Sequence, residues 1–190
     1  MPRLAIFASG NGSNAQRIAE YFKGDPSISI NLILSNKPDA YVIKRAETLG
    51  IPSVVFNRTT FYETGHIPEL LKENKIDYLV LAGFLWLIPM NIIETFPGRI
   101  INIHPALLPK FGGKGMYGMK VHESVIAAGE IESGITIHYV DSCYDKGKII
   151  FQARCPVTPQ DTPETLAGKI HQLEYRYFPV VIEQTVMRDE

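Results

Sequence analysis

Leu4-Ala5-Ile6-Phe7-Ala8 runs straight into Ser9-Gly10-Asn11-Gly12-Ser13-Asn14, and that junction decides the fold. The first five residues are apolar without alternation, the pattern of a strand buried on both faces. The glycines let the backbone turn tightly after it. From Ser13 to about Lys23 the apolar residues take helical spacing, and Ile18, Tyr21 and Phe22 are expected to share a face. A strand, a glycine loop and a helix in this order open a parallel α/β unit.

The pattern repeats outward. Ile28–Ser35 reads as a second strand, Tyr41–Leu49 as a helix stopped by Gly50, and Ser53–Phe56 as a short third strand. Pro68–Asn74 forms the core of another helix, Tyr78–Ala82 a fourth strand and Ile100–Ile103 a fifth. The expected class is α/β, with a doubly wound, mostly parallel sheet. The second half departs from it. Gly134–Val140 and Lys148–Val157 are joined only by the polar turn 141–147, too short for a parallel crossover, so an antiparallel strand is expected there. A last helix should run from Pro163, capped by Thr162, to about Tyr177. No linker interrupts the chain, and residues 1–190 are expected to form a single domain.

Bulk properties narrow the function. Of 190 residues, 45% are hydrophobic and 21% charged, and the net charge is -1. A nucleic-acid partner would require a basic face, so none is expected. No apolar run nears the ~20 residues that cross a bilayer, and no signal-peptide pattern opens the chain. Cys143 and Cys155 form no metal-binding or redox pair. These features predict a cytoplasmic protein without a membrane partner.

Three segments carry candidate chemistry. The loop Ser9–Asn14 offers glycines, a helix start with unpaired N–H groups, and donors from Ser13 and Asn14, a combination that suits phosphate. Gly10-x-Gly12-x-x-Ala15 also meets the dinucleotide fingerprint, but Asn36 stands where an acidic residue should hold a ribose. No Gly-Lys-Ser/Thr follows, which excludes a P-loop. A plain tight turn with Ser13 as helix cap is the competing structural explanation.

Asn102 and His104 lie two apart in Ile100-Ile101-Asn102-Ile103-His104-Pro105 and so face one side of a strand, at the sheet edge where α/β ligands bind. His104 suits acid–base work and Asn102 suits donation to an oxyanion. The turn 141–147 offers two carboxylates to the histidine, Asp141 and Asp145, and spacing does not choose between them. His122-Glu123 begins like a zinc-protease helix, but Ile126 occupies the second ligand position, and no metal is expected. His122 is expected at the surface or behind the site, and His138 as a satisfied strand residue.

Together these segments resemble the glycinamide ribonucleotide (phosphoribosylglycinamide) formyltransferase family of purine biosynthesis. The resemblance is carried by Ser9–Asn14, Leu81-Ala82-Gly83-Phe84, Asn102-Ile103-His104-Pro105-Ala106-Leu107-Leu108-Pro109, Gly134–Val140 and Asp145-x-Gly147. It implies a Rossmann-like formyltransferase fold. It implies 10-formyltetrahydrofolate as formyl donor and glycinamide ribonucleotide as acceptor, both small molecules, in a monomer or homodimer. By the same resemblance, Asn102, His104 and Asp145 form the catalytic trio. Gly12, Ser13 and Asn14 hold the phosphate, and Glu174 the ribose. Leu85, Trp86, Leu87, Ile88, Asn102, Val140 and Asp141 contribute to the folate pocket. The chain departs from the family at Leu85-Trp86, where members often carry Met-Arg, and at Tyr175, where a histidine is common. The Lys114–Gly118 segment is present in only some members. Rival expectations are a formyltetrahydrofolate deformylase-like hydrolase and a nicotinamide-dependent oxidoreductase. Deformylases carry an extra N-terminal regulatory domain and methionyl-tRNA formyltransferases a C-terminal barrel, and neither is expected here.

Overall fold

The computed structural model of the chain describes residues 1–188. The elements run β1 (Arg3–Phe7), α1 (Ser13–Tyr21), β2 (Ser29–Ser35), α2 (Tyr41–Leu49), β3 (Ser53–Val55), α3 (Arg58–Tyr62) and α4 (His66–Glu73). They continue β4 (Tyr78–Leu81), α5 (Met90–Thr95), β5 (Ile100–His104), α6 (Met119–Ala127), β6 (Glu132–Tyr139), β7 (Ile149–Pro156) and α7 (Pro163–Arg188). The strands make one sheet in the order β3-β2-β1-β4-β5-β6-β7. Pairs from β3 through β5 are parallel, and β6 is antiparallel to both β5 and β7. The doubly wound sheet with an antiparallel C-terminal strand is therefore as expected.

Burial on both faces explains the unbroken apolar strands. In β1, Leu4 and Ile6 pack with Ile18, Phe22, Phe178 and Ile182, while Ala5 and Phe7 pack with Phe56, Phe61, Ile67 and Leu71. Leucine, isoleucine and phenylalanine side chains buried this way stabilise the fold by about 1.5–3 kcal/mol each. The chain winds from β1 towards β3, then crosses to β4 on the other side of β1. Open α/β sheets bind ligands where the winding reverses, here outside the carboxyl ends of β1 and β4.

Two expectations need correction. Tyr21 does not join the buried face of α1: Ile18 and Phe22, four apart, enter the core, whereas Tyr21 is 40% exposed and donates its hydroxyl proton to Glu183 Oε2 at 2.6 Å. The last helix does not stop at Tyr177 but reaches Arg188 with Pro179 inside it. An interior proline costs about 3 kcal/mol. Phe178, Ile182 and Val186, four apart and fully buried, more than offset that cost. Its start follows the sequence: Thr162 Oγ1 accepts from Thr165 N, and Thr165 Oγ1 accepts from Thr162 N. The short helices α3 and α5 have too few turns to show a period. α3 is nevertheless marked by the reciprocal cap between Asn57 and Thr60.

Candidate active site

A cavity of about 750 Å³ opens at the predicted crevice, between the loops that follow β1, β4, β5 and β6. Its first wall is Ser9–Asn14. Gly12 takes a left-handed conformation (φ 73°) just before α1, and a Cβ there would collide with Val42. No side chain caps α1, and Ser13 is its first helical residue, so the capping explanation for Ser13 fails. The N-terminal N–H groups and the positive end of the helix dipole face the cavity wall, a setting that favours phosphate. Arg45 on α2 braces this loop through Nε to the Asn11 carbonyl (2.8 Å) and Nη2 to Asn11 Oδ1 (2.6 Å). Asn14 donates from Nδ2 to Glu174 Oε2 at 2.9 Å, joining the loop to α7. Glu174 is buried, and that burial pushes its carboxyl above the usual range, while Asn14 partly opposes the shift.

Asn102 and His104 project from the end of β5 on one face, and the 141–147 turn brings Asp145 to them. Asp145 Oδ2 lies 3.5 Å from His104 Nδ1 and accepts from Gly113 N at 2.8 Å. Its backbone is left-handed (φ 55°), a conformation aspartate tolerates better than most residues. Gly147 completes the turn because a Cβ there would strike the Tyr139 carbonyl. On its other edge His104 Nε2 donates to the Phe111 carbonyl at 2.7 Å. The segment after His104 is pinned by Thr136, whose Oγ1 donates to the Ala106 carbonyl (2.7 Å) and accepts from Leu108 N (2.9 Å).

His138 completes the cluster. It pairs with Asn102 across β5 and β6. Its Nδ1 donates to the Tyr139 carbonyl at 2.8 Å, so in the neutral ring Nε2 accepts from Asn102 Nδ2 at 3.0 Å. That bond fixes the Asn102 amide and leaves its second Nδ2 proton for a ligand. His138 Nε2 is also 3.6 Å from Asp145 Oδ1.

The protonation balance follows from burial. Desolvation pushes the His104 imidazole below its ordinary value, and Asp145 and the Phe111 carbonyl push it back only in part. Burial outweighs the push from Asp145, so the net shift of the His104 ring is downward. Its two nitrogens nevertheless face two acceptors, an arrangement matched in full only by the imidazolium. Burial raises the Asp145 carboxyl, but His138, His104 and the Gly113 N–H outweigh it and hold the group below the usual carboxylate range.

The opposite wall is apolar and aromatic. Leu85, Trp86, Leu87 and Ile88 all line the cavity, as does Val140. Trp86 packs on Phe56, Phe61, Tyr62 and Phe84, with the Arg58 guanidinium 5.1 Å from its ring centre. Ser9 Oγ accepts from Leu85 N at 3.0 Å, tying this wall to the phosphate loop. A flat heteroaromatic ring can lie against such a surface.

The cavity brings together Gly12, Ser13, Asn14, Leu85, Trp86, Leu87, Ile88, Asn102, His104, Val140, Asp145 and Glu174. Asp141 stays apart: it does not line the cavity, and its Oδ1 accepts from Cys143 N at 2.8 Å within the turn. Sequence reasoning missed the site roles of His138 and His171, and of the two places expected for His122 the structure excludes the surface one. His138 is part of the cluster rather than only a strand residue, and its place opposite Asn102 depends on strand register. His122 is not at the surface but 4% exposed, and His171 also lines the cavity one turn before Glu174. Among the described residues no group of three or more His, Cys, Asp or Glu could hold a metal ion. No described helix is long and apolar enough to cross a membrane.

Residues 2–182 match the family model described as formyl transferase. The chain is 39% identical over 191 residues to a phosphoribosylglycinamide formyltransferase of Bacillus subtilis, covering 97% of this chain and 94% of that protein. It is 40% identical over 186 residues to a chloroplastic phosphoribosylglycinamide formyltransferase of Arabidopsis thaliana. It spans only 64% of the length of that relative and 60% of the one from Vigna unguiculata. Crystal structures of phosphoribosylglycinamide formyltransferases superpose closely. That from Bacillus halodurans gives a TM-score of 0.88 at 36% identity, covering 99% of this chain and 97% of that one. That from Streptococcus pneumoniae gives 0.85 at 40% identity, covering 97% and 98%.

Proposed function

The chain belongs to the formyl transferase family, and on that footing we propose that it transfers the formyl group of 10-formyltetrahydrofolate to the amine of glycinamide ribonucleotide, a step of purine biosynthesis. One observation carries the reading: Asn102, His104, His138 and Asp145 converge between a phosphate-binding helix start and an aromatic wall. The first wall suits the ribonucleotide phosphate and the second the pteridine of the donor. Gly12, Ser13 and Asn14 bind the phosphate, Glu174 the ribose hydroxyls, and Leu85 to Ile88 with Val140 the folate. Asp141 acts from outside the cavity, shaping the turn that carries Asp145.

The chemistry needs no metal and no covalent enzyme intermediate. The acceptor amine attacks the formyl carbon, and negative charge builds on the formyl oxygen. The free Asn102 Nδ2 proton and a His104 N–H stabilise that oxygen. As the charge grows, His104 becomes easier to protonate, and Asp145 steadies the imidazolium on Nδ1. The Nε2 proton must leave the Phe111 carbonyl to serve the reaction. The carbon–N10 bond then breaks, N10 gains a proton and the amine loses one, giving the formamide and tetrahydrofolate. Holding the two substrates side by side supplies much of the acceleration. The same reading treats residues 1–190 as one cytoplasmic formyltransferase domain, monomeric or dimeric.

The test is release of tetrahydrofolate from 10-formyltetrahydrofolate, followed by absorbance with and without the ribonucleotide. The reading expects release only when the ribonucleotide is present. Equal release in its absence would make the chain a hydrolase.

A further inference from the structure

His122 is the buried titratable group that the mechanism above leaves without work. It lies on α6, is 4% exposed, and still lines the cavity. Its Nδ1 is buried without a hydrogen-bond partner among the described residues. Such an atom costs about 1–3 kcal/mol when left unmet. A packing role would be served by an apolar side chain of similar size at no such cost. Its surroundings locate it. It shares the cavity lining with His104 at the reacting end and with His171 and Glu174 at the ribose end, and its helix packs against α7, which carries those last two. Burial first, then the neighbouring His171 and His104 imidazoles, hold the group down to about 4, leaving the ring uncharged in any ordinary assay.

An acceptor stretched from Ser13 to His104 crosses the cavity that His122 lines, and the part that joins its ribose to its amine lies between those two ends. In glycinamide ribonucleotide that joint is an uncharged amide, with one N–H donor and one C=O acceptor. A neutral imidazole matches it whichever nitrogen carries the proton. We propose that His122 binds the glycinamide arm of the acceptor through Nδ1 and so selects an acceptor with an amide between its ribose and its amine. The proposal rests on the functional reading above and names a specificity residue for it.

The experiment compares wild type, His122→Ala and His122→Asn, the last because an asparagine amide places a donor and an acceptor near the Nδ1 position. Two ligands are titrated by calorimetry: glycinamide ribonucleotide, and ribose 5-phosphate, which lacks the arm. Steady-state kinetics give KM for each substrate. His122→Ala should weaken glycinamide ribonucleotide binding about tenfold, with ribose 5-phosphate affinity and the folate KM within twofold of wild type. His122→Asn should recover most of the loss. Equal weakening of both ligands, or no weakening of either, overturns the proposal. Should His122→Ala fail to fold, His122→Asn decides. Ribonucleotide affinity within threefold of wild type, with His122→Leu at least tenfold weaker, upholds the proposal, and equal affinity in Asn and Leu variants overturns it. A wild-type protein that binds both ligands but transfers no formyl group defeats the functional reading instead, and the two failures are thereby told apart.

Discussion

Replacing Asp145 by asparagine removes one negative charge beside His104 while keeping the side-chain shape and an acceptor for Gly113 N. The two side chains are 5% and 11% exposed, so solvent screens them little. At the observed 3.5 Å and an effective dielectric of ~20, the attraction is worth about 5 kcal/mol before the surroundings respond. Carboxylates beside cationic groups shift pKa by about 1–3 units in practice, so the imidazole should lose about that much. The sign is definite. Burial already depresses His104, and losing Asp145 depresses it further. If the protonated ring is the reacting form, the rate falls as pH rises through its pKa. The variant's falling limb therefore moves to lower pH by about 1–3 units, and kcat/KM at neutral pH drops about 10- to 1000-fold. The assay is a pH–rate profile paired with NMR titration of the His104 ring. A variant whose profile and ring titration both coincide with wild type would refute the pairing.

Three further outcomes follow from the same geometry. Gly12→Ala meets both a left-handed backbone and the Val42 side chain, so it should destabilise the fold by about 1–3 kcal/mol in denaturant titration and raise the ribonucleotide KM more than the folate KM. Glu174→Gln should raise the ribonucleotide KM about tenfold and leave folate quenching of the sole tryptophan, Trp86, unchanged. His122 is held at about 4 in the folded protein and titrates near ~6.5 when unfolded. The unfolded state therefore binds its proton first, and the group destabilises the fold as pH falls from about 6.5 to about 4 by roughly 3 kcal/mol. His122→Gln should flatten stability against pH over that window in denaturant titrations.

The parts of this fold that local chemistry dictates were legible. Leu4–Ala8 and Tyr78–Ala82 are unbroken apolar runs because both faces of the central strands are covered. Asn102 and His104 share a face by strand geometry alone. The end of α7 was not legible, because Pro179 is a local stop signal overruled by the burial of Phe178, Ile182 and Val186. Asp145 could be chosen over Asp141 only through resemblance, since the contact with His104 is made by a turn whose path depends on β6 and β7 pairing. His138 entered the site through register, which places it opposite Asn102, and no motif announces that. His122 is hidden for a related reason: the packing of α6 against α7 and the cavity, not its own neighbours in sequence, buries it.

The central claim is that the formyl carbon passes from folate nitrogen to the acceptor amine under Asn102 and His104. Carbon-13 in the formyl group of the donor tests it directly, in a single turnover with glycinamide ribonucleotide followed by NMR. The account predicts that the label appears as the formamide of the ribonucleotide in wild type and remains on the folate in His104→Ala over the same time. Label recovered as free formate, or delivered to the ribonucleotide equally fast without His104, would contradict it.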